Sequence, residues 1–326
     1  MGEHGWAIGI DVGGTKIAAG LLDPETGQAT ARRSLPTGAD RGGTAVLAAV
    51  EAVARDLAEA ARVQGGPAVA VGIGVPELVT PDGRITSAHV FDWRALPVAA
   101  RLGDIAPATI ASDVRAASLA EARFGAGRPF ASFAYLSVGT GISSTLVLDG
   151  RPWPGARGGA LVLSSGPLSV PCPRCGAVEL FVLEEYASGP ALVRRYAERT
   201  GRAASGAEEV VAAAAVGDPD AAAVVASAAT ALGSAIGFLV NVADPAAIVV
   251  GGGLGSAPGP FWNALVAAAR PHIWNPDAQS LPILQARLGP DAGWIGAALA
   301  ATGEPETSTR RGECVERRTL VAAEGR

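Results

Sequence analysis

An excess of charge of one sign is missing from this chain. Its 26 lysines and arginines stand against 31 aspartates and glutamates, a net charge of -5, and no basic block exceeds an Arg-Arg pair. Without a basic stripe, nucleic acid is not an expected partner. Cysteine is scarce too: Cys172, Cys175 and Cys314 are too few for a disulfide framework. The Cys172–Cys175 pair, spaced CxxC, reads as a metal or redox motif before it reads as a staple, and a plain Pro-bearing turn is the default for it. No apolar run reaches about 18 residues without a glycine or polar break, so no membrane segment is expected. Met1 to Trp6, with Glu3 and His4, has neither the charged nor the apolar region of a leader, and a cytoplasmic protein is the expectation.

What is present is apolar and small. Hydrophobic residues make up 49% and charged residues 17%, which separates the chain from disordered sequences and allows a large core. A length of 326 residues favours two domains with a cleft between them.

The chemistry-bearing pattern begins at Trp6–Val12, a strand-like run that ends in Gly13-Gly14-Thr15-Lys16 before Ile17–Leu22 resumes the apolar character. This reads as a hairpin with a glycine-rich turn. The shape recurs at Phe133–Asp149 around Gly139-Thr140-Gly141, with Gly13 and Gly139 spaced as Asp23 and Asp149 are, so a duplicated half is expected. Helical spacing over Gly42–Val63 and Asp113–Phe124, separated by a buried-strand run at Ala68–Val75, makes the class α/β. Leu183–Arg199 and Ala207–Val242 read as helices, the second broken near Gly217-Asp218-Pro219. Ala246–Val250 reads as a strand ending in Gly251-Gly252-Gly253.

Glycines let backbone amides approach phosphate oxygens, Asp11 at a strand end can position a metal, and Thr15 and Lys16 can donate to an anion. The segment is not a Walker A loop, which ends in Gly-Lys-Ser/Thr and opens a helix. The same residues would also serve a plain tight turn. Gly139-Thr140-Gly141 is weak alone and stronger as a partner across a cleft. Gly251–Gly253, at a strand terminus, leaves room for a flat ring or a ribose, or makes a flexible connection.

These three runs, in this order, resemble the ROK family of bacterial sugar kinases and repressors, within the superfamily of actin and hexokinase, over about residues 7–302. The resemblance implies a two-domain actin-like ATPase (ribonuclease H-like) fold with an interdomain active-site cleft. It implies an N-terminal domain at 1–114, rejoined by a helix near 291–302, a larger domain at 115–290, and a disordered tail at 303–326. It implies ATP and Mg²⁺ as cofactors, with Asp11, Gly13, Gly14, Thr15, Lys16, Gly139, Thr140 and Gly141 around the phosphates and Gly251, Gly252 and Gly253 on the adenosine side. The family's catalytic base falls on Asp113, which would equally suit a first-turn helix carboxylate after Ser112. The expected activity is transfer of phosphate to a hydroxyl of a sugar or sugar-like molecule, with a homodimer as the expected assembly. With six residues before Ala7, the repressors' DNA-binding module is not expected.

The pattern departs from the family at the sugar. Where family kinases carry Glu-x-Gly-His, this chain has Val162 and Ser165. Ser112 replaces the usual Asn, and Ala88-His89-Val90 stands at the segment that reads the sugar's far side. Glu184 is left as the acidic sugar ligand, with Glu185 competing, so Ser112, Asp113, Glu184 and His89 are the expected substrate contacts. Of the family's zinc ligands only Cys172 and Cys175 are matched, and Val182 stands near the third cysteine position, so no metal site is expected there. An altered acceptor such as an amino sugar or a carbocyclic analogue is the first expectation, because a pocket stripped of its polar groups selects a different substrate. A degenerate sugar sensor without catalysis is the alternative.

Overall fold

The structure, a computed structural model, describes residues 5–171 and 175–303. The tail from 304 onward and the Cys172 half of the CxxC pair lie outside the described residues.

Apolar runs interrupted by glycine build a first sheet of β1 (Trp6–Val12), β2 (Lys16–Leu22), β3 (Ala29–Pro36), β4 (Ala68–Val75) and β5 (Ala108–Ser112), in the order β3-β2-β1-β4-β5. β1, β2 and β3 are antiparallel, whereas β4 and β5 run parallel to β1. The crossovers carry α1 (Gly43–Val63) and α2 (Val98–Gly103), and α3 (Asp113–Phe124) follows β5 directly. Parallel neighbours need such crossovers, which is why helices cover this sheet.

A second sheet repeats the plan with β6 (Ser132–Val138), β7 (Ile142–Leu148) and β8 (Arg151–Trp153), then β11 (Ile248–Gly251) and β12 (Ile283–Gln285), in the order β12-β11-β6-β7-β8. Between them lie a two-stranded ribbon, β9 (Pro167–Pro171) and β10 (Val178–Val182), and the helices α4 (Leu183–Ala187), α5 (Gly189–Thr200), α6 (Ala207–Ala215) and α7 (Pro219–Ala243). α8 (Pro260–Ala269) joins β11 to β12, and α9 (Ala292–Thr302) ends the described chain.

The two sheets have one topology, which bears out the duplication, with one difference at the turns. Val12 faces Ile17 across four residues, whereas Val138 faces Ile142 across three, so the second glycine turn is one residue tighter. The expected helix over Leu183–Arg199 is two helices. Ser188 is extended, and the Gly189 amide is drawn onto the Gly139 carbonyl at 2.8 Å, which breaks the run. β3 and β5 were not anticipated: β3 is a half-exposed strand with Arg32 and Arg33, and β5 is short.

Each sheet has its own core, one around Ile8, Ile10, Leu47 and Ile73, the other around Leu136, Leu192, Leu232 and Phe261. A third cluster joins Ala7 and Leu22 of the first sheet to Phe133, Tyr135 and Val249 of the second through Trp294 and Ala298 of α9. α9 lies so close to the first sheet that a Cβ on Gly9 or Gly72 would meet the Trp294 or Ala297 carbonyl. α7 is long and apolar enough to cross a membrane, yet Ala228, Leu232, Ile236 and Val240 are spent on the second core.

Candidate active site

The two glycine turns open onto one cleft. A cavity of about 560 Å³ is lined by Asp11, Gly13–Lys16, Ser112, Asp113, Gly139–Gly141 and Glu184, and it extends to His89, Trp153 and Val162. A second cavity of about 350 Å³ is bounded by Tyr135, Gly252, Gly253, Ser256, Pro290 and Gly293. Asp11, Lys16, Asp113, Val114 and Ser137 line both, so the cavities are two ends of one space that meet at the paired aspartates.

Local hydrogen bonds shape each turn. The Gly13 amide donates to the Lys16 carbonyl at 2.9 Å, and Thr37 braces the turn by donating its hydroxyl to the Gly13 carbonyl at 2.6 Å and its amide to the Thr15 carbonyl at 3.0 Å. Gly14, Thr15 and Lys16 are left on the exposed rim. In the second turn the Gly139 amide donates to the Gly141 carbonyl at 2.9 Å, while Thr140 and Gly141 are exposed. Exposed glycine backbone with a lysine beside it is a cradle for phosphate oxygens.

Asp11 is the penultimate residue of β1 and Asp113 opens α3, and they flank Gly74 of β4, where a Cβ would stand 3.5 Å from Asp11 Oδ1 and 3.6 Å from the Asp113 Cα. Burial pushes the Asp11 carboxyl up to about 7, Asp113 adds to the rise, and Lys16 opposes it. Burial likewise pushes Asp113 up to about 6, aided by Glu77 and opposed by its bond from the Val114 amide at 2.6 Å and by Arg115. Of these two half-buried carboxyls, Asp11 fits a cation brought beside it and Asp113 fits a base working near neutral pH. Among the described residues no cluster of three metal-ligating side chains occurs, and Asp11, beside the first glycine turn, is the carboxylate placed to meet a cation that would arrive with nucleotide phosphates.

The third glycine run divides. Gly252, at φ 81°, and Gly253 line the smaller cavity, while Gly251 is buried in β11 behind Tyr135, whose hydroxyl a Cβ would strike. At the other end, Ser112 is buried at the start of α3, and exposed His89 lines the larger cavity. Glu184 lines it as well and accepts the Ile142 amide through Oε2 at 2.7 Å. Glu185 turns outward and accepts the Val182 amide at 3.3 Å. Val162 lines the cavity, whereas the Ser165 hydroxyl donates to the Val162 carbonyl at 2.9 Å.

Sequence reasoning passed over Glu77, Arg115, Tyr135 and Trp153. Glu77 follows β4 after Pro76 and is 2% exposed. Arg115, the third residue of α3, donates to the Val79 carbonyl at 2.8 Å and the Gly158 carbonyl at 3.3 Å, joining two adjoining loops that border the larger cavity. The only signal for any of them was charge or aromaticity within otherwise apolar runs.

Duplicated sheets, glycine turns facing each other across one cleft and a raised carboxylate on its floor define an ATP-dependent carbohydrate kinase of the actin-like class. The chain belongs to the ROK family, whose profile matches residues 7–304. It is 31% identical to the glucokinase of Streptomyces coelicolor across 92% of this chain and 99% of that enzyme. It is 30% identical to the N-acetylgalactosamine kinase AgaK of Shewanella sp. across 90% of this chain and 96% of that one. The ROK family glucokinase of Streptomyces griseus, solved in complex with glucose and AMPPNP, superposes with a TM-score of 0.75 at 28% identity, covering 91% of this chain and 99% of that chain.

Proposed function

We propose that the chain transfers the γ-phosphoryl group of ATP to the hydroxymethyl group of a sugar or sugar-like acceptor, an amino sugar or a carbocyclic analogue among them. The observation that carries the reading is the position of Asp113 where the two cavities meet, at the N-terminus of α3, with its carboxyl raised to about 6. A carboxylate tuned towards neutrality accepts a hydroxyl proton more readily than an ordinary aspartate.

Mg·ATP supplies the phosphoryl group and the cation that offsets its charge. Gly13–Lys16 and Gly139–Gly141 hold the phosphate oxygens with backbone amides and the Lys16 ammonium, and Gly252 and Gly253 leave space for the nucleoside. Asp113 takes the acceptor proton as the acceptor oxygen bonds to phosphorus and the bond to the β-phosphate oxygen breaks, releasing ADP. Ser112, His89 and Glu184 face the acceptor. Two relatives named for different sugars support a sugar hydroxyl as the target, with the particular acceptor set by local residues such as Val162.

In this reading the domains are 1–114 with 291–302, and 115–290. α9 packs on the first sheet, which supports the rejoined helix. A cytoplasmic homodimer completes the proposal, and light scattering checks its mass.

The test is ADP release with Mg·ATP across hexoses, amino sugars, N-acetylated sugars and cyclitols, using Asp113→Asn as control. Acceptor-dependent turnover that falls about 10²- to 10⁴-fold in the control supports the reading. Nucleotide binding without turnover on any acceptor favours a sensor.

A further inference from the structure

The residue that the chemistry above does not use is Glu77. Its side chain is 2% exposed, and a carboxylate is taken that far out of water only where hydrogen bonds replace its hydration. Four donors do so, and all come from one five-residue segment. Oε2 accepts the Ser87 hydroxyl in a short bond and the His89 amide at 2.7 Å, while Oε1 accepts the Val90 amide at 2.7 Å and the Phe91 amide at 3.4 Å. The Ser87 hydroxyl in turn accepts the Leu78 amide at 2.9 Å, which ties the base of the 78–87 hairpin to the same carboxylate.

The segment so held is one wall of the larger cavity, to which Ser87, His89 and Val90 all contribute. β4 brings Glu77 to this place. Val75 pairs with Ser112 in the sheet, so two residues later the chain stands beside the start of α3, where Asp113 lies.

We infer that Glu77 is a positioning and specificity-determining residue: it fixes the Ser87–Phe91 wall against the acceptor and places its negative charge beside the base. The inference rests on the phosphotransfer reading of the cleft. A carboxylate has about four lone-pair sites, and four donors fill them, so Glu77 does not grip the acceptor itself. The Ser87 hydroxyl is engaged on both sides. The acceptor contact from this wall is therefore the exposed imidazole of His89, held in place by the bond from its own amide to Glu77. Glutamine offers one oxygen where two are required, and aspartate is one methylene short.

Charge adds a second consequence. The groups that face Asp113 are Asp11 from β1, Lys16 from β2, Arg115 on its own helix, Tyr135 from β6 and Glu77 after β4. Glu77 acts to raise the Asp113 carboxyl, so removing its charge lets that carboxyl ionise at lower pH.

The experiment compares full-length wild type with Glu77→Gln and Ser87→Ala in amide hydrogen exchange, steady-state kinetics for acceptor and Mg·ATP separately, and the pH profile of kcat/KM. Glu77→Gln is expected to speed exchange at residues 89–91 and to raise the acceptor KM about tenfold, with the Mg·ATP KM within about twofold. It is also expected to shift the acid limb to lower pH. Ser87→Ala, which keeps the charge, is expected to share the first two effects in smaller measure with the acid limb unmoved, and it carries the test if Glu77→Gln does not fold. Unchanged exchange and acceptor KM, or equal losses for both substrates with the acid limb in place, would overturn the inference. If wild type turns over no acceptor, the phosphotransfer reading fails by itself, and unchanged exchange at residues 89–91 would separately remove Glu77's hold on the wall.

Discussion

Glu184 accepts the amide of Ile142 at 2.7 Å, so the carboxylate expected on the acceptor also anchors the first residue after the second glycine turn. One side chain therefore links the end of the cleft proposed for the acceptor to the backbone proposed to cradle phosphate. A Cβ on Gly141 would approach the same carboxylate at 2.8 Å, which shows how closely the turn is seated on it.

That double duty predicts a double defect. Glu184→Ala should raise KM for both Mg·ATP and the acceptor and lower kcat/KM about 10- to 100-fold, the cost of a lost charged hydrogen bond of about 1.5–3 kcal/mol. Glu184→Gln keeps an acceptor oxygen for Ile142 and should spare the nucleotide more than the acceptor. Initial-rate kinetics with each substrate varied in turn separate the two.

In the proposed mechanism the raised carboxyl of Asp113 sets the pH dependence. A base must be ionised, and with its titration at about 6 the rate should fall as pH drops through that value, approaching about tenfold per unit below it. An acid limb near 4, the region of an unburied aspartate, would place the base elsewhere.

Asp11 makes a prediction about stability. Its carboxyl is raised from 3.8 to about 7, so the folded state holds a proton that the unfolded chain has released. The sign follows from linkage: this contribution is fully present below about 4 and is lost as pH rises through about 7. Asp11→Asn should remove that dependence and stabilise the nucleotide-free protein by about 1–3 kcal/mol at pH 8, while abolishing Mg·ATP-dependent turnover. Melting curves from pH 5 to pH 8 with and without Mg·ATP report both effects.

Gly252 and Gly253 should respond differently to a single methyl group. Gly252 sits at φ 81° with the Val138 backbone where a Cβ would go, so Gly252→Ala should lower the melting temperature, with strain of about 1–3 kcal/mol. Nothing lies within 4 Å of a Cβ on Gly253, so Gly253→Ala should keep stability and raise the nucleotide KM.

Arg115 ties together two adjoining loops at the rim of the cleft through the Val79 and Gly158 carbonyls. Arg115→Met should destabilise the protein by about 1–3 kcal/mol, because buried carbonyls lose charged donors. A denaturant titration measures the loss directly.

Taken alone, the sequence determined the class of fold, the two glycine hairpins and their duplication, and the candidate carboxylate at Asp113. These are written in neighbouring residues: alternating apolar runs, glycines at turns, and an acidic residue opening a helical period. It did not reveal β3, whose exposed charges hide its pairing, or the break at Ser188, which comes from Gly189 packing on a turn fifty residues earlier. Only the tertiary structure decided which glycines of the third run face the cavity, that Glu184 rather than Glu185 turns inward, and that Glu77 is buried under the 87–91 segment. Each depends on the donor or the space that a distant strand brings beside a side chain, and a carboxylate looks the same in sequence whether it meets water or four hydrogen-bond donors.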